Sequence, residues 1–189
     1  VVEKGGEDVA VNEQMVQDIV KEVMAKLNLA NGQAQKGIFG NMEQAVSAAK
    51  KTQRYVHNMS MDQREQIISN IRRKTKENAQ ILSRMAVEET GMGNVPHKIL
   101  KHQLVAEKTP GTEDIITTAW SGDRGLTLTE MGPFGVIGAI TPCTNPSETI
   151  ICNTIGMLAG GNTVVFNPHP SALKTSLYAV HMLNEASVE

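Results

Sequence analysis

The stretches GVIGAITPCTNP at residues 135–146 and NTVVFNPHP at residues 162–170 decide the fold class of this chain. Each opens with a short, uncharged, β-branched segment, at residues 135–140 and 163–166, and ends at a proline with an asparagine close by. Such segments are typical of parallel strands that are covered on both faces. Because ligands of open α/β sheets bind at the carboxyl ends of strands, the polar ends indicate a binding edge.

A crossover helix is predicted between the two strands. Residues 147–160 begin with Ser-Glu-Thr, continue with apolar side chains at helical spacing and stop at two glycines. Another helix is predicted at residues 171–186, where leucine and valine recur at helical intervals. Together these elements form the βαβα start of a doubly wound parallel sheet, an α/β fold. The dinucleotide fingerprint Gly-x-Gly-x-x-Gly does not occur in the sequence.

The segment before the first of these strands is predicted to be mainly helical. Apolar spacing indicates one helix over about residues 42–56 and a second capped by Asp62. A third, separate helix ends at Gly91, and a fourth begins near Pro96. Apolar and polar residues then alternate weakly over residues 115–130, which predicts one or two strands around the turn Ser-Gly-Asp-Arg-Gly at residues 121–125. We therefore divide the chain into a helical and hairpin part at residues 38–130 and a sheet part at residues 131–189.

An amphipathic helix is predicted at residues 12–29, apart from the rest of the fold. Its apolar residues recur at spacings of three and four, after a disordered start at residues 1–11 and before a polar linker at residues 30–37. A helix this short is marginal alone in water, so its apolar stripe needs a partner. The partner is either the body of the same protein or a groove on another protein, and the linker favours the second.

Composition excludes several classes of function. The 18 basic and 20 acidic residues nearly balance, and aromatic residues make up 3%, so we expect no nucleic-acid partner. The apolar stretches are shorter than the roughly 20 residues that cross a bilayer, so we expect no membrane partner. Two cysteines without a signal segment suggest free thiols in a cytoplasmic protein. The histidines and cysteines lack metal-ligand spacing, so we expect no metal.

Asn145 is the principal catalytic candidate. It follows the first strand between Thr144 and Pro146, where a rigid side-chain amide can donate a hydrogen bond to the oxyanion of an attacked carbonyl. The alternative is a plain helix cap. Cys143 and Cys152 invite a nucleophile reading. However, the local sequence gives Cys143 no base, and Cys152 is expected to be a small buried residue of the crossover helix, so the nucleophile stays unassigned.

A second candidate group lies at the end of the second strand. Asn167, Pro168 and His169 occupy the position from which many α/β enzymes contact the adenosine half of a dinucleotide. His169 has two possible roles, and the sequence favours neither. It could contact adenine, ribose or coenzyme A, or it could cap the helix at Ser171.

A set of motifs in fixed order resembles the coenzyme A-acylating aldehyde dehydrogenases of bacterial microcompartments, of the propanediol and ethanolamine utilisation type. The resemblance runs from about Ile38 to the end of the chain and corresponds to the N-terminal part of a family member. The motifs are ETGMGN at 89–94, KTPGTED at 108–114, SGDRGL at 121–126, PFGVIG at 133–138, TPCTNP at 141–146 and NPHP at 167–170.

The resemblance implies an aldehyde-dehydrogenase-like fold in which residues 131–189 are the first half of a Rossmann-like NAD-binding domain. It implies oxidation of acetaldehyde or propionaldehyde, which the sequence does not distinguish, to the acyl-CoA with NAD and coenzyme A. The family places the catalytic cysteine in a part of the chain absent here, so we expect this piece alone to be inactive. The resemblance also implies that Asn145 is an oxyanion-hole donor. Thr141 and Pro142, with Cys143 beside them, would line the nicotinamide side of the cleft.

The same resemblance implies a location and partners. The helix at residues 12–29 looks like an encapsulation peptide that binds a microcompartment shell protein and places the enzyme in the lumen. The hairpin region implies a homo-oligomer. Asn167 stands where ordinary aldehyde dehydrogenases often have a lysine that meets the ribose or its 2′-phosphate, and the lost charge favours NAD over NADP. The alternative function is a non-catalytic assembly module that uses the same helix.

Overall fold

The computed structural model describes residues 37–189, so the segments predicted at 1–11, 12–29 and 30–36 lie outside the described residues. Short 3₁₀ turns at Thr112–Asp114 and Pro170–Ala172 accompany nine regular elements in residues 37–189. In chain order these are α1 (Met42–His57), α2 (Met61–Thr90), α3 (Val95–Lys108), β1 (Thr118–Gly122), β2 (Gly125–Thr129), β3 (Val136–Thr141), α4 (Pro146–Ala159), β4 (Thr163–Pro168) and α5 (Leu173–Val188).

The longest element, α2, corrects the prediction of two separate helices. It runs unbroken for 30 residues, because its buried stripe continues through side chains that are not strongly apolar. Between Ile71 and Leu82 the stripe is carried by Thr75 and Ala79, both buried. The hydroxyl of Thr75 donates to the carbonyl of Ile71 at 2.8 Å, so burying it leaves no polar group unsatisfied.

The ends of α2 follow from local chemistry, though not from the residue predicted at its start. Ser60, rather than Asp62, is the N-cap, and it forms a capping box with Gln63 in which each side chain bonds to the other's backbone N–H. At the other end Gly91 adopts the left-handed conformation with a φ of 67°, which costs glycine nothing. The predicted stop at Gly91 is confirmed.

The predicted strand–helix–strand–helix unit is confirmed. The strands β3 and β4 pair in parallel, with Thr141 opposite Pro168, and α4 provides the crossover. Helices α1 and α4 pack against these strands. The expectation of coverage on both faces is not met within residues 37–189, since the side chain of Ile140 is 84% exposed. No helix in this part of the chain combines the length and apolar character needed to cross a bilayer.

A separate antiparallel hairpin, β1 and β2, lies where one or two strands were predicted. Thr118 pairs with Thr129 and Gly122 with Gly125, so Asp123 and Arg124 form the turn. All ten strand residues are exposed in the described part of the chain, including the large apolar side chains Trp120, Leu126 and Leu128.

Helix α2 is the centre of the packing, because α3, α4 and α5 all contact it. The turn between α4 and β4 is also held by the helical part. Gln53 of α1 donates to the carbonyl of Gly161 at 2.9 Å and accepts from the backbone N–H of Thr163 at 2.8 Å. Gly161 has a φ of 78°, and a Cβ there would lie 3.1 Å from the guanidinium of Arg64. The helical and sheet parts therefore share direct contacts.

Candidate active site

The two polar motifs predicted to meet do lie at one edge of the sheet. In the parallel register Ile140 is opposite Asn167 and Thr141 opposite Pro168, so both strands end at the same place. The loop after β3 leads directly into α4, whose first residue is Pro146. Proline suits the first turn of a helix because its missing N–H would have no helical partner there. The loop is therefore short and fixed at both ends.

Asn145 occupies the N-cap position of α4, but its side chain does not cap the helix. Its carbonyl accepts the backbone N–H of Thr149 at 3.1 Å, which ties the residue into the helix start. Its side-chain Oδ1 instead accepts a hydrogen bond from Nζ of Lys101 at 3.0 Å. The capping role left open by the sequence is therefore not the one this side chain takes.

Half-buried Asn145 lies on a cleft of about 240 Å³. One wall comes from α3 and the turn before it, and the other from the loop after β3. The lining residues are Met92, Gly93, Asn94, His97, Lys98, Lys101, Thr144 and Asn145. A side-chain amide at a cleft, on a loop fixed by a helix start, is the arrangement that oxyanion stabilisation requires.

A buried ion pair supports this loop from behind. Nζ of Lys98 lies 3.3 Å from Oε1 of Glu148 and donates to the carbonyl of Thr144 at 3.1 Å. The two charged side chains are only 4% and 6% exposed. Charges are rarely buried to this extent unless they are paired, and here each has its partner. The pair thus fixes the loop backbone one residue before Asn145.

Fully buried His102 extends the same support. Its Nδ1 lies 2.8 Å from the carbonyl of Lys98, which can only accept, so the ring proton is on Nδ1. Its Nε2 then accepts from the hydroxyl of Ser147 at 2.9 Å. Burial lowers the pKa of His102 below its ordinary value, against the opposing effect of Glu148, so the ring is neutral at neutral pH. A neutral ring satisfies both contacts without adding a buried charge.

Sequence reasoning missed these supporting residues. Lys98, Lys101 and His102 are spaced at i, i+3 and i+4, so they lie on one face of α3. That spacing was a usable signal, because side chains three and four positions apart on a helix can reach the same neighbouring loop. Glu148, three residues after Asn145 in the first turn of α4, was the matching signal.

The residues predicted to bind the cofactor differ in how accessible they are. Pro142 is exposed, Cys143 is half-buried and Asn167 is exposed. The hydroxyl of Thr141 is buried and has no hydrogen-bond partner among residues 37–189. A strand-end edge with accessible groups and one unpaired hydroxyl fits a dinucleotide, since such ligands bind across the carboxyl ends of parallel strands.

His169 makes the capping contact that the sequence left open. Its Nδ1 accepts the backbone N–H of Ser171 at 3.1 Å, so the ring caps the 3₁₀ turn that leads into α5. The rest of the ring is exposed, and Pro168 beside it is half-buried. The start of α5 proper is bound by Glu89, whose carboxylate accepts the backbone N–H groups of Lys174 and Thr175, each at 2.7 Å. Glu89 therefore fixes the start of α5.

The thiols lack the surroundings of a nucleophile. Within residues 37–189 neither Cys143 nor Cys152 has a hydrogen-bonded base. Cys152 is exposed, which corrects the expectation of a buried residue. The buried side chains of α4 include Ile150, Ile151 and Ile155, whereas no described element covers Cys152.

Two other features carry no chemistry in this part of the chain. A larger open cleft, of about 710 Å³, is lined by α2, the end of α3 and the first 3₁₀ turn, and none of its lining residues belongs to the strand ends. Its arginine, Arg72, is already occupied by the carbonyls of Ala106 and Thr109 and by Glu113. Within residues 37–189 no three or more His, Cys, Asp or Glu side chains are grouped to hold a metal ion.

Known proteins resemble this chain in sequence and in fold. Residues 11–189 match the aldehyde dehydrogenase family. An acetylating acetaldehyde dehydrogenase of Bilophila wadsworthia is 48% identical over 153 residues, which cover 81% of this chain and 31% of the relative.

Two solved structures share the fold. A propionaldehyde dehydrogenase from the fucose utilisation microcompartment of Clostridium phytofermentans has 80% identity and a TM-score of 0.79, over 80% of this chain and 35% of that one. A propionaldehyde dehydrogenase of Rhodopseudomonas palustris, with bound CoA and an acylated cysteine, has 52% identity and a TM-score of 0.79, over 82% and 36%. The chain thus spans about a third of the length of these relatives.

Proposed function

This chain belongs to the aldehyde dehydrogenase family, and from that premise we propose that the intact protein is a CoA-acylating aldehyde dehydrogenase of short aliphatic aldehydes. The observation that carries the proposal is the amide of Asn145, held on a cleft at the start of α4 by Lys101. The names of the relatives support the same reaction class, with acetaldehyde or propionaldehyde as substrate.

In the proposed reaction a cysteine thiolate adds to the aldehyde carbon, and the carbonyl oxygen gains negative charge. The side-chain amide of Asn145 then donates a hydrogen bond to that oxyanion, which needs the donor more than the neutral carbonyl does. NAD, when bound, would supply the hydride acceptor, and coenzyme A would take the acyl group from the enzyme thioester. The overall reaction converts the aldehyde, NAD⁺ and the thiol of coenzyme A into acyl-CoA, NADH and a proton.

We propose that the nucleophile is a cysteine other than Cys143 and Cys152. Neither of these has a hydrogen-bonded base within residues 37–189, and a thiol needs a base or another means of activation to attack a carbonyl. The acylated cysteine in the Rhodopseudomonas palustris enzyme supports a cysteine in this role.

The proposed cofactor groups lie at the strand ends. Thr141, Pro142 and Cys143 would hold the nicotinamide side, and Asn167 with Pro168 the ribose side. Asn167 is exposed and uncharged, so it offers no cation to a 2′-phosphate, and we propose NAD over NADP. His169 would contribute through its exposed ring edge, since its Nδ1 is already used as a cap.

Turnover by the intact enzyme tests this function. With propionaldehyde, NAD and CoA, we expect NADH and propionyl-CoA to form in equal amounts. We expect the 189-residue chain assayed alone to form neither, because its thiols are not activated. An intact enzyme that releases free propionate and makes no thioester would contradict the acylating reaction. CoA-dependent NADH formation by the short chain would contradict the missing nucleophile.

We also propose a location and an assembly. Residues 12–29 would bind a shell protein and place the enzyme in a microcompartment lumen, and the hairpin with exposed Trp120, Leu126 and Leu128 would join copies of the enzyme. In the hairpin register Leu126 and Leu128 lie on one face and Trp120 on the other. Exposed apolar side chains on both faces support the second part, because exposed apolar surface marks interfaces.

Deleting residues 1–36 from the intact enzyme separates targeting from catalysis and assembly. We expect the variant to lose association with purified shells while keeping its turnover and its sedimentation coefficient, because the hairpin and the cleft are untouched. Unchanged shell association would contradict the targeting role, and sedimentation of the undeleted enzyme as a monomer would contradict the oligomer. Loss of turnover on deletion would favour an integral role for the helix in the fold.

A further inference from the structure

We propose that Lys101 is a positioning residue that holds the Asn145 carboxamide with its amino group turned to the cleft. The inference rests on the proposed function, because it assigns a role to Lys101 only if the amide of Asn145 serves the reaction. It starts from one contact, in which Nζ of Lys101 donates to Oδ1 of Asn145 at 3.0 Å.

The chemistry of lysine decides which way the amide faces. An ammonium group has three donors and no acceptor, so the amide atom beside it must be the oxygen. The amino group of Asn145 therefore lies on the other branch of the carboxamide. Within residues 37–189 that amino group makes no hydrogen bond, so both of its N–H donors are available to a ligand in the cleft.

The helix that carries Lys101 also supports the loop before Asn145. One helical turn earlier on α3, Lys98 is buried against Glu148 and donates to the carbonyl of Thr144. Lys98 thus fixes the loop backbone, and Lys101 fixes the side chain that follows. Both restraints come from the same face of one helix, so the loop backbone and the amide keep their positions relative to each other.

Loss of the lysine would release the amide. The last side-chain torsion of asparagine is broad and roughly two-fold, so without a partner the oxygen and the amino group exchange places. An oxygen turned to the cleft would repel an oxyanion instead of stabilising it. The ammonium also polarises the carboxamide, and hydrogen bonds in series strengthen one another, so the amino group is a better donor while Lys101 is bound.

The test uses the intact enzyme. Replacing Lys101 with methionine keeps the apolar stem and removes the donor, and we expect kcat to fall about tenfold with little change in KM for the aldehyde. Lys101→Arg keeps a cationic donor, so we expect it to restore most of the loss. Lys108→Met, on the same helix and exposed, is the matched control and should keep the parent kcat.

A double-mutant cycle separates positioning from general damage. In the Asn145→Ala background we expect Lys101→Met to change kcat by less than about twofold, because there is no amide left to orient. An equal tenfold loss in both backgrounds, or no loss in either, would overturn the positioning role. If Asn145→Ala alone leaves kcat unchanged, the proposed oxyanion function fails first, and the result for Lys101 is then read as structural.

Discussion

Replacing Asn145 with alanine in the intact enzyme is expected to lower kcat by about 10²–10³-fold, which corresponds to about 3–4 kcal/mol of lost transition-state stabilisation. The reason is that the amide is held on the cleft by Lys101 and is free to donate from its amino group. Because the oxyanion exists only after attack, KM for the aldehyde should change little. Steady-state rates of acyl-CoA formation measure both constants.

The matched control is Asn41→Ala. Asn41 is also an asparagine at a helix N-cap, but its Oδ1 accepts the N–H of Gln44, and it lies at the start of α1 rather than on the cleft. Its loss should cost about 1 kcal/mol of stability and leave kcat unchanged. An Asn145→Ala enzyme with kcat within a few-fold of its parent would remove the oxyanion role from this residue.

The largest effect on stability is expected from Lys98→Met. The change leaves the carboxylate of Glu148 buried without its cation and the carbonyl of Thr144 without its donor. Breaking a buried ion pair from one side typically costs about 3–5 kcal/mol, since the remaining charge keeps its desolvation penalty. Urea denaturation of the purified protein, followed by circular dichroism, should show a lower midpoint.

Lys76→Met is the matched control for this second prediction. Lys76 pairs with Glu107 at 3.1 Å, but the two side chains are 48% and 52% exposed. Exposed pairs contribute about 0–1 kcal/mol, so this variant should unfold almost like its parent. The double variant Lys98→Met/Glu148→Leu should recover most of the stability, because it removes both buried charges. Equal losses from Lys98→Met and Lys76→Met would show that burial does not strengthen the pair.

The sequence predicted those parts of the fold in which chemistry and periodicity agree. The strands β3 and β4, the crossover helix and the stop at Gly91 were marked by β-branched runs and by glycine. Helix α2 was divided wrongly because Thr75 and Ala79 carry its buried stripe, and neither stands out by hydrophobicity. The prediction that Cys152 is buried was wrong, because it rested on residue type and on apolar neighbours. Residue type does not say which elements cover a position.

At the candidate site the sequence located the loops but not what holds them. Proline and asparagine after each strand were enough to bring Asn145 and Asn167 to one edge. The partner of Asn145 lies 44 positions earlier in the chain, at Lys101, and the partner of Glu148 lies 50 positions earlier, at Lys98. Such pairs depend on how α3 packs against α4, which local spacing does not encode.

The contact of Gln53 with the turn before β4 has a consequence for biosynthesis. Gln53 and Thr163 are separated by 110 positions, and α5, which packs on α2, begins later still. The apolar face of α2 therefore leaves the ribosome well before the segments that cover it. Until they emerge, that face stays in water or against a chaperone, and closing so long a loop slows the first productive collapse.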